Sequence, residues 1–172
     1  MRQVEQPIPA PVAVGIGHVH LRVADLDRAV GFYRDVLGLT LNAYGPDLGV
    51  PGAAFLAAGG YHHHVGLNTF ESEGGTPPPP GHTGLYHLAI LYSDRRQLSL
   101  AVGRLYDHAY PVDGAQDHGL TVSVYLRDPD ANGVELYYDR PQERWFDEQG
   151  RPILKNEPFD PRELLAEVGP AS

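Results

Sequence analysis

A pattern of strand, amphipathic helix and further short strands runs from Gly15 to Asn68 and begins again at Leu85; this repetition most narrows the folds open to the chain. In the first copy, Gly15 to Val23 alternates, with Val19, Leu21 and Val23 on one face and His18, His20 and Arg22 on the other. Asp25 is placed to cap a helix in which Ala29, Val30, Tyr33 and Leu37 recur at helical spacing; Phe32 and Val36 widen the stripe and Gly38 stops it. Strands are expected at Thr40 to Tyr44, Ala53 to Ala58 and Tyr61 to Asn68, separated by Gly45-Pro46-Asp47 and Pro51-Gly52. The first copy therefore reads βαβββ.

Between the copies, Glu71 to Gly84 is rich in Gly, Pro, Ser and Thr, and its run Pro77 to Pro80 favours a stiff extended connector over a partner-binding motif. The second copy has a strand at Leu85 to Tyr92 and a helix at Asp94 to Asp107 with Leu98, Ala101, Val102 and Leu105 inward. Strands follow at Thr121 to Leu126 and Gly133 to Tyr138. Its remaining strand, near Tyr110 to Val112, is weakly signalled and contains Pro111. The expected organisation is a βαβββ module over residues 14–70, a connector over 71–84, a second module over 85–141 and a C-terminal extension over 142–172. Asp160-Pro161 starts a short helix in that extension, which packs on the modules or serves a dimer contact. The fold class is α+β, with the two modules paired as an open mixed β-barrel around a cavity.

At 172 residues the chain has room for one compact domain or two small modules that share a core, and not for two large domains. A formal net charge of −9, with no basic cluster beyond Arg95-Arg96, argues against nucleic acid as a partner. No stretch is long and apolar enough for a membrane span, and the expected compartment is the cytoplasm. Cysteine is absent, so a metal centre here must rest on His and carboxylate.

His18 and His87 occupy equivalent places, each early in the first strand of its copy and just ahead of a helix. Glu135 stands between the apolar Val134 and Leu136, so alternation points it alone to the opposite face, a costly position for a carboxylate that is neither paired nor metal-bound. If the two units pair around one cavity, His18, His87 and Glu135 meet there. Two imidazoles and one carboxylate leave coordination positions open and suit ferrous iron.

Two segments carry a resemblance to a known family. They are Gly17-His18-Val19-His20-Leu21-Arg22-Val23-Ala24-Asp25-Leu26, with Phe32-Tyr33-Arg34-Asp35-Val36-Leu37-Gly38 after it, and Asp128-Pro129-Asp130-Ala131-Asn132-Gly133-Val134-Glu135-Leu136. Over roughly residues 14 to 141 the chain resembles the vicinal oxygen chelate superfamily, which includes glyoxalase I, fosfomycin-modifying enzymes, bleomycin-binding proteins and extradiol ring-cleavage dioxygenases. The resemblance implies metal ligation by His18, His87 and Glu135. Where glyoxalase I enzymes carry a fourth, carboxylate ligand, this chain has Tyr61-His62-His63-His64-Val65-Gly66-Leu67, a departure that favours the three-ligand extradiol type.

His118 and Tyr125 match the His and Tyr that contact a bound catecholate in extradiol enzymes, and a His near the end of the first module matches their acid–base residue. Alternation favours His62 and His64 facing the cavity, whereas a bulge would present His63; His64 is the first choice and His63 the next. What the resemblance implies is a small catechol 2,3-dioxygenase-like enzyme that takes an aromatic diol and dioxygen, with Fe(II) as the metal and Mn(II) or Zn(II) as alternatives. A homodimer is compatible with it. A glyoxalase-like isomerase or lyase, or a non-catalytic drug-binding or metabolite-binding protein, is the alternative. His20 is expected to line the pocket as a packing residue, and His82 and His108 to lie on the surface.

Overall fold

The structure, a computed structural model, describes residues 12–167. Its first half contains β1 (Val19–Arg22), α1 (Leu26–Gly31) with a π-helical continuation over Phe32–Val36, β2 (Thr40–Tyr44), β3 (Ala53–Ala57) and β4 (Val65–Asn68). These strands form one sheet in the order β1-β4-β3-β2. The second half contains β5 (Leu88–Tyr92), α2 (Arg95–Asp107), β6 (Gly114–Asp117), β7 (Thr121–Arg127), β8 (Gly133–Asp139) and β9 (Glu157–Pro158), in a sheet ordered β5-β8-β7-β6-β9. In both sheets the first and last strands of the βαβββ run are parallel neighbours and the other pairs antiparallel. The protein is thus mixed α+β with two sheets and few helices. Among the described residues no strand ladder joins the sheets, so no closed barrel forms. None of the described helices is long and apolar enough to cross a membrane.

The helices begin where capping chemistry places them. Asp25 accepts a hydrogen bond from the Arg28 N–H at 3.0 Å, and Asp94 accepts one from the Gln97 N–H at 2.9 Å, each relieving an otherwise unpaired donor of the first turn. Leu98, Ala101, Val102 and Leu105 are all buried on one face of α2. In β1, Leu21 is buried while His20 and Arg22 are exposed, and the residues on either side continue the alternation, with Val23 buried and His18 exposed.

Three elements differ from the sequence expectation. Residues 61–64 form a turn, and β4 begins only at Val65. The weak strand lies at Gly114–Asp117, after Pro111, which has no N–H to give a ladder; residues 110–113 are irregular, with the Tyr110 hydroxyl bonded to the Arg127 carbonyl at 2.9 Å. The extension adds β9 to the β6 edge before its short helix, a 3₁₀ stretch over Pro161–Glu167 whose Leu164 is fully buried.

A buried carboxylate ties the two halves together. In the β7–β8 turn, the Asp128 carboxylate is 4% exposed and accepts from the Asp130 N–H, the Asn132 N–H and the Asn132 side-chain amide at 2.9, 2.8 and 2.9 Å. The Tyr33 hydroxyl, from the first half, donates to it at 3.0 Å. Burial, followed by the Asp128 charge, raises the Tyr33 phenol well above its ordinary range and keeps it a donor. Beside this pair, Asp130 accepts from the Ala24 N–H and from Arg28, both also in the first half.

Candidate metal centre

Glu135 lies on β8 directly between Ala89 of β5 and Tyr125 of β7, so its side chain shares a face with both. Leu136 and Val134, its neighbours in sequence, are buried on the opposite face. His87 immediately precedes β5, and its Nε2 lies 3.0 Å from Glu135 Oε2. The other carboxylate oxygen, Oε1, accepts from the Tyr125 hydroxyl at 2.9 Å, and that hydroxyl is 2.7 Å from His118 Nε2.

Proton counting orders this chain. Tyr125 has one hydroxyl proton, and burial, reinforced by the bond to Glu135, pushes its pKa up to about 12, so it stays protonated at neutral pH. An ionised carboxylate only accepts, so the tyrosine proton goes to Glu135 and the second bond must be donated by His118 Nε2–H. One oxygen of Glu135 is therefore held, and the other is left beside the His87 nitrogen.

These donors fit a divalent cation. Two ligand atoms about 2.1 Å from one metal and at right angles to each other are about 3.0 Å apart, the separation of His87 Nε2 and Glu135 Oε2. Hydrogen-bonded support of a ligating carboxylate is also what metal centres use to fix their ligands, and Tyr125 supplies it.

The first half gathers five histidines. The His18 ring lies 4.6 Å from that of His63, which also meets Phe55 at 5.0 Å. His63 Nδ1 is 2.6 Å from His62 Nδ1, so one of these two nitrogens carries a proton. Burial, then the surrounding His62, His18, His20 and His64, holds the His63 imidazole below the usual histidine range. His64 turns aside; its Nδ1 accepts from the Ala58 N–H at 3.2 Å and its ring lies against Tyr61. His20 packs over Gly66 and near Phe55.

The structure thus brings together His87, Glu135, Tyr125 and His118, and separately His18 and His63. It does not group His18 with His87 and Glu135: among the described residues no set of three or more His, Cys, Asp or Glu side chains is arranged to hold a metal ion. Of the three consecutive histidines, His63 and not His64 faces His18, because alternation does not extend into the turn that precedes β4. Asn42, which the sequence did not single out, bonds the Tyr61 and His62 carbonyls at 2.9 and 3.0 Å and holds that turn. A lone Asn in β2 gives no local signal of this.

The model of the glyoxalase/bleomycin resistance protein/dioxygenase superfamily matches residues 15–136. A catechol-2,3-dioxygenase of Bacillus subtilis is 35% identical over 156 residues, covering 90% of this chain and 52% of that protein. A biphenyl-2,3-diol 1,2-dioxygenase of Rhodococcus globerulus is 32% identical over 126 residues, covering 72% of this chain and 63% of that protein. The chain therefore spans roughly half to two thirds of the length of these relatives. Among solved structures, a lactoylglutathione lyase from Agrobacterium tumefaciens is similar with a TM-score of 0.57 and 25% identity, over 73% of this chain and 94% of that one.

Proposed function

Because the chain belongs to the glyoxalase/bleomycin resistance protein/dioxygenase superfamily, we propose that it is a metal-dependent extradiol-type dioxygenase that opens the ring of a small catechol. The observation that carries this proposal is the hydrogen-bonded run His118–Tyr125–Glu135, which ends in a carboxylate oxygen 3.0 Å from His87. The two dioxygenase relatives support the same reaction class. His18, His87 and Glu135 would hold the metal, with His18 leaving its contact with His63 to join the pair. Ferrous iron, when bound there, supplies a Lewis acid that can bring a diol and dioxygen together.

The chain's own residues do the rest. Ala89 and Leu91, exposed on the strand beside β8, share the face of Glu135 and offer an apolar wall to an aromatic ring. The Tyr125 hydroxyl, which donates to Glu135 and accepts from His118 Nε2–H, keeps one lone pair with which to receive and orient a diol hydroxyl. His63 Nδ1 or Nε2, neutral at physiological pH, takes a proton from the diol and returns one to the opened product. Here His63 takes the acid–base role first expected of His64.

Protein loaded anaerobically with ferrous iron is expected to consume oxygen with a small catechol and give a yellow ring-opened product, followed by an oxygen electrode and visible absorbance. No turnover across a broad catechol panel would sink the proposal. The likeness to a lactoylglutathione lyase favours isomerisation or lyase chemistry as the second reading. That chemistry would run without oxygen and with metals other than iron.

A further inference from the structure

The segment beyond the residues matched by the family model does more than cover the sheet. From Arg140 the chain runs out and returns as a closed loop. Trp145 Nε1 donates to the Arg140 carbonyl at 2.7 Å, and the Ile153 N–H donates to the Trp145 carbonyl at 2.9 Å. Asp147 closes the far end by accepting from the Gln149 and Arg151 N–H groups at 2.9 Å each. The returning segment, irregular over Ile153–Lys155, then crosses the β6–β7 turn, which carries His118.

Contact between the two is close. Gly119 adopts φ +82°, and a Cβ there would lie 2.2 Å from the Ile153 carbonyl oxygen, so only glycine lets the segment pass. The Lys155 N–H donates to the His118 carbonyl at 2.9 Å. The chain continues into β9, which pairs with β6 through Asp117 and Glu157. The residue before His118 is also braced: the Arg140 guanidinium meets the Asp117 carboxylate at 2.7 Å. His118 thus has its carbonyl held by the Lys155 N–H and its own N–H by the Thr121 carbonyl at 3.0 Å, while its Nε2 reaches the Tyr125 hydroxyl.

We propose that the strap Ile153–Lys155 is a positioning element of the candidate centre: by gripping the His118–Gly119 turn it keeps His118 Nε2–H directed at Tyr125, and so holds Tyr125 on Glu135. The link to catalysis rests on the proposed dioxygenase function. The link to His118 stands without it.

The two are separated by reading the imidazole directly. In ¹⁵N-labelled protein at alkaline pH, where free imidazole is neutral, wild-type His118 shows a pyrrole-type Nε2 and a pyridine-type Nδ1. Lys155→Pro removes the N–H that grips the turn, and the His118 nitrogens then move toward tautomer-averaged shifts. Lys155→Ala keeps that N–H and restores the wild-type pattern. In turnover, Lys155→Pro lowers kcat by about ten- to a hundredfold with little change in KM, the scale at which supporting groups act on a metal site. Should Lys155→Pro not fold, Trp145→Phe loosens the loop more gently and is read in the same way. A folded Lys155→Pro or Trp145→Phe protein with wild-type His118 shifts overturns the positioning role. The expected tautomer change without catechol turnover in any protein leaves the strap's role standing and overturns the dioxygenase reading alone.

Discussion

Replacing Asp128 by alanine is expected to lower the stability of the protein by about 3–5 kcal/mol, because it strands one buried donor and three part-buried ones at once. The carboxylate is 4% exposed and accepts four hydrogen bonds, from the Asp130 and Asn132 N–H groups, the Asn132 amide and the Tyr33 hydroxyl. Each unsatisfied buried donor costs about 1–3 kcal/mol, and water can reach some of them once the side chain is gone, so the total falls below the sum. For a chain of this size the loss corresponds to a fall in Tm of roughly 10 °C. Tyr33→Phe, which removes one donor and leaves the Asp128 turn intact, is expected to cost about 1–2 kcal/mol. Thermal unfolding of the two variants checks both values. A shift for Asp128→Ala no larger than that for Tyr33→Phe would mean that the turn is not the node described here. The consequence for function is spatial, since this node ties the half that carries His18 to the strand that carries Glu135.

The second large effect belongs to Glu135. Glu135→Gln keeps the size of the side chain and an oxygen able to accept from Tyr125, and removes the charge beside His87. Metal affinity is expected to fall by more than about a hundredfold, beyond the loss typical for supporting residues. Folding of the metal-free protein should change by less than about 0.5 kcal/mol, as at sites where no mechanism for large loss operates. Tyr125→Phe is the informative companion, because it leaves the carboxylate charged but frees Oε1; its affinity loss should be about ten- to a hundredfold. Isothermal titration with a divalent metal distinguishes the two. Equal losses in both variants would contradict separate roles as ligand and support.

The facing of the candidate residues was legible because its signals are local. Alternation placed Glu135 opposite Val134 and Leu136, and set His18 and His20 on the face away from Leu21 and Val23, as the burial of these residues bears out. The caps Asp25 and Asp94 could be read from the residues that follow them. His82 and His108 are exposed, as expected. What could not be read depends on partners distant in sequence. Tyr33 looks like one more member of an apolar stripe until its hydroxyl finds Asp128, 95 residues away. The His62 to His64 segment has the sequence of a strand, yet Asn42 holds the Tyr61 and His62 carbonyls, and the chain turns there. β9 is two residues long and includes Pro158; it exists because the β6 edge is there to receive it.

In the proposed centre His18 joins His87 and Glu135 around one metal, although His18 lies against His63 in the structure. X-ray absorption at the iron edge of anaerobically loaded protein counts the imidazoles bound to the metal. Two imidazoles in the wild type and in His63→Ala, and one in His18→Ala, is the result predicted. An imidazole count that His18→Ala leaves unchanged, or that His63→Ala reduces, would contradict it.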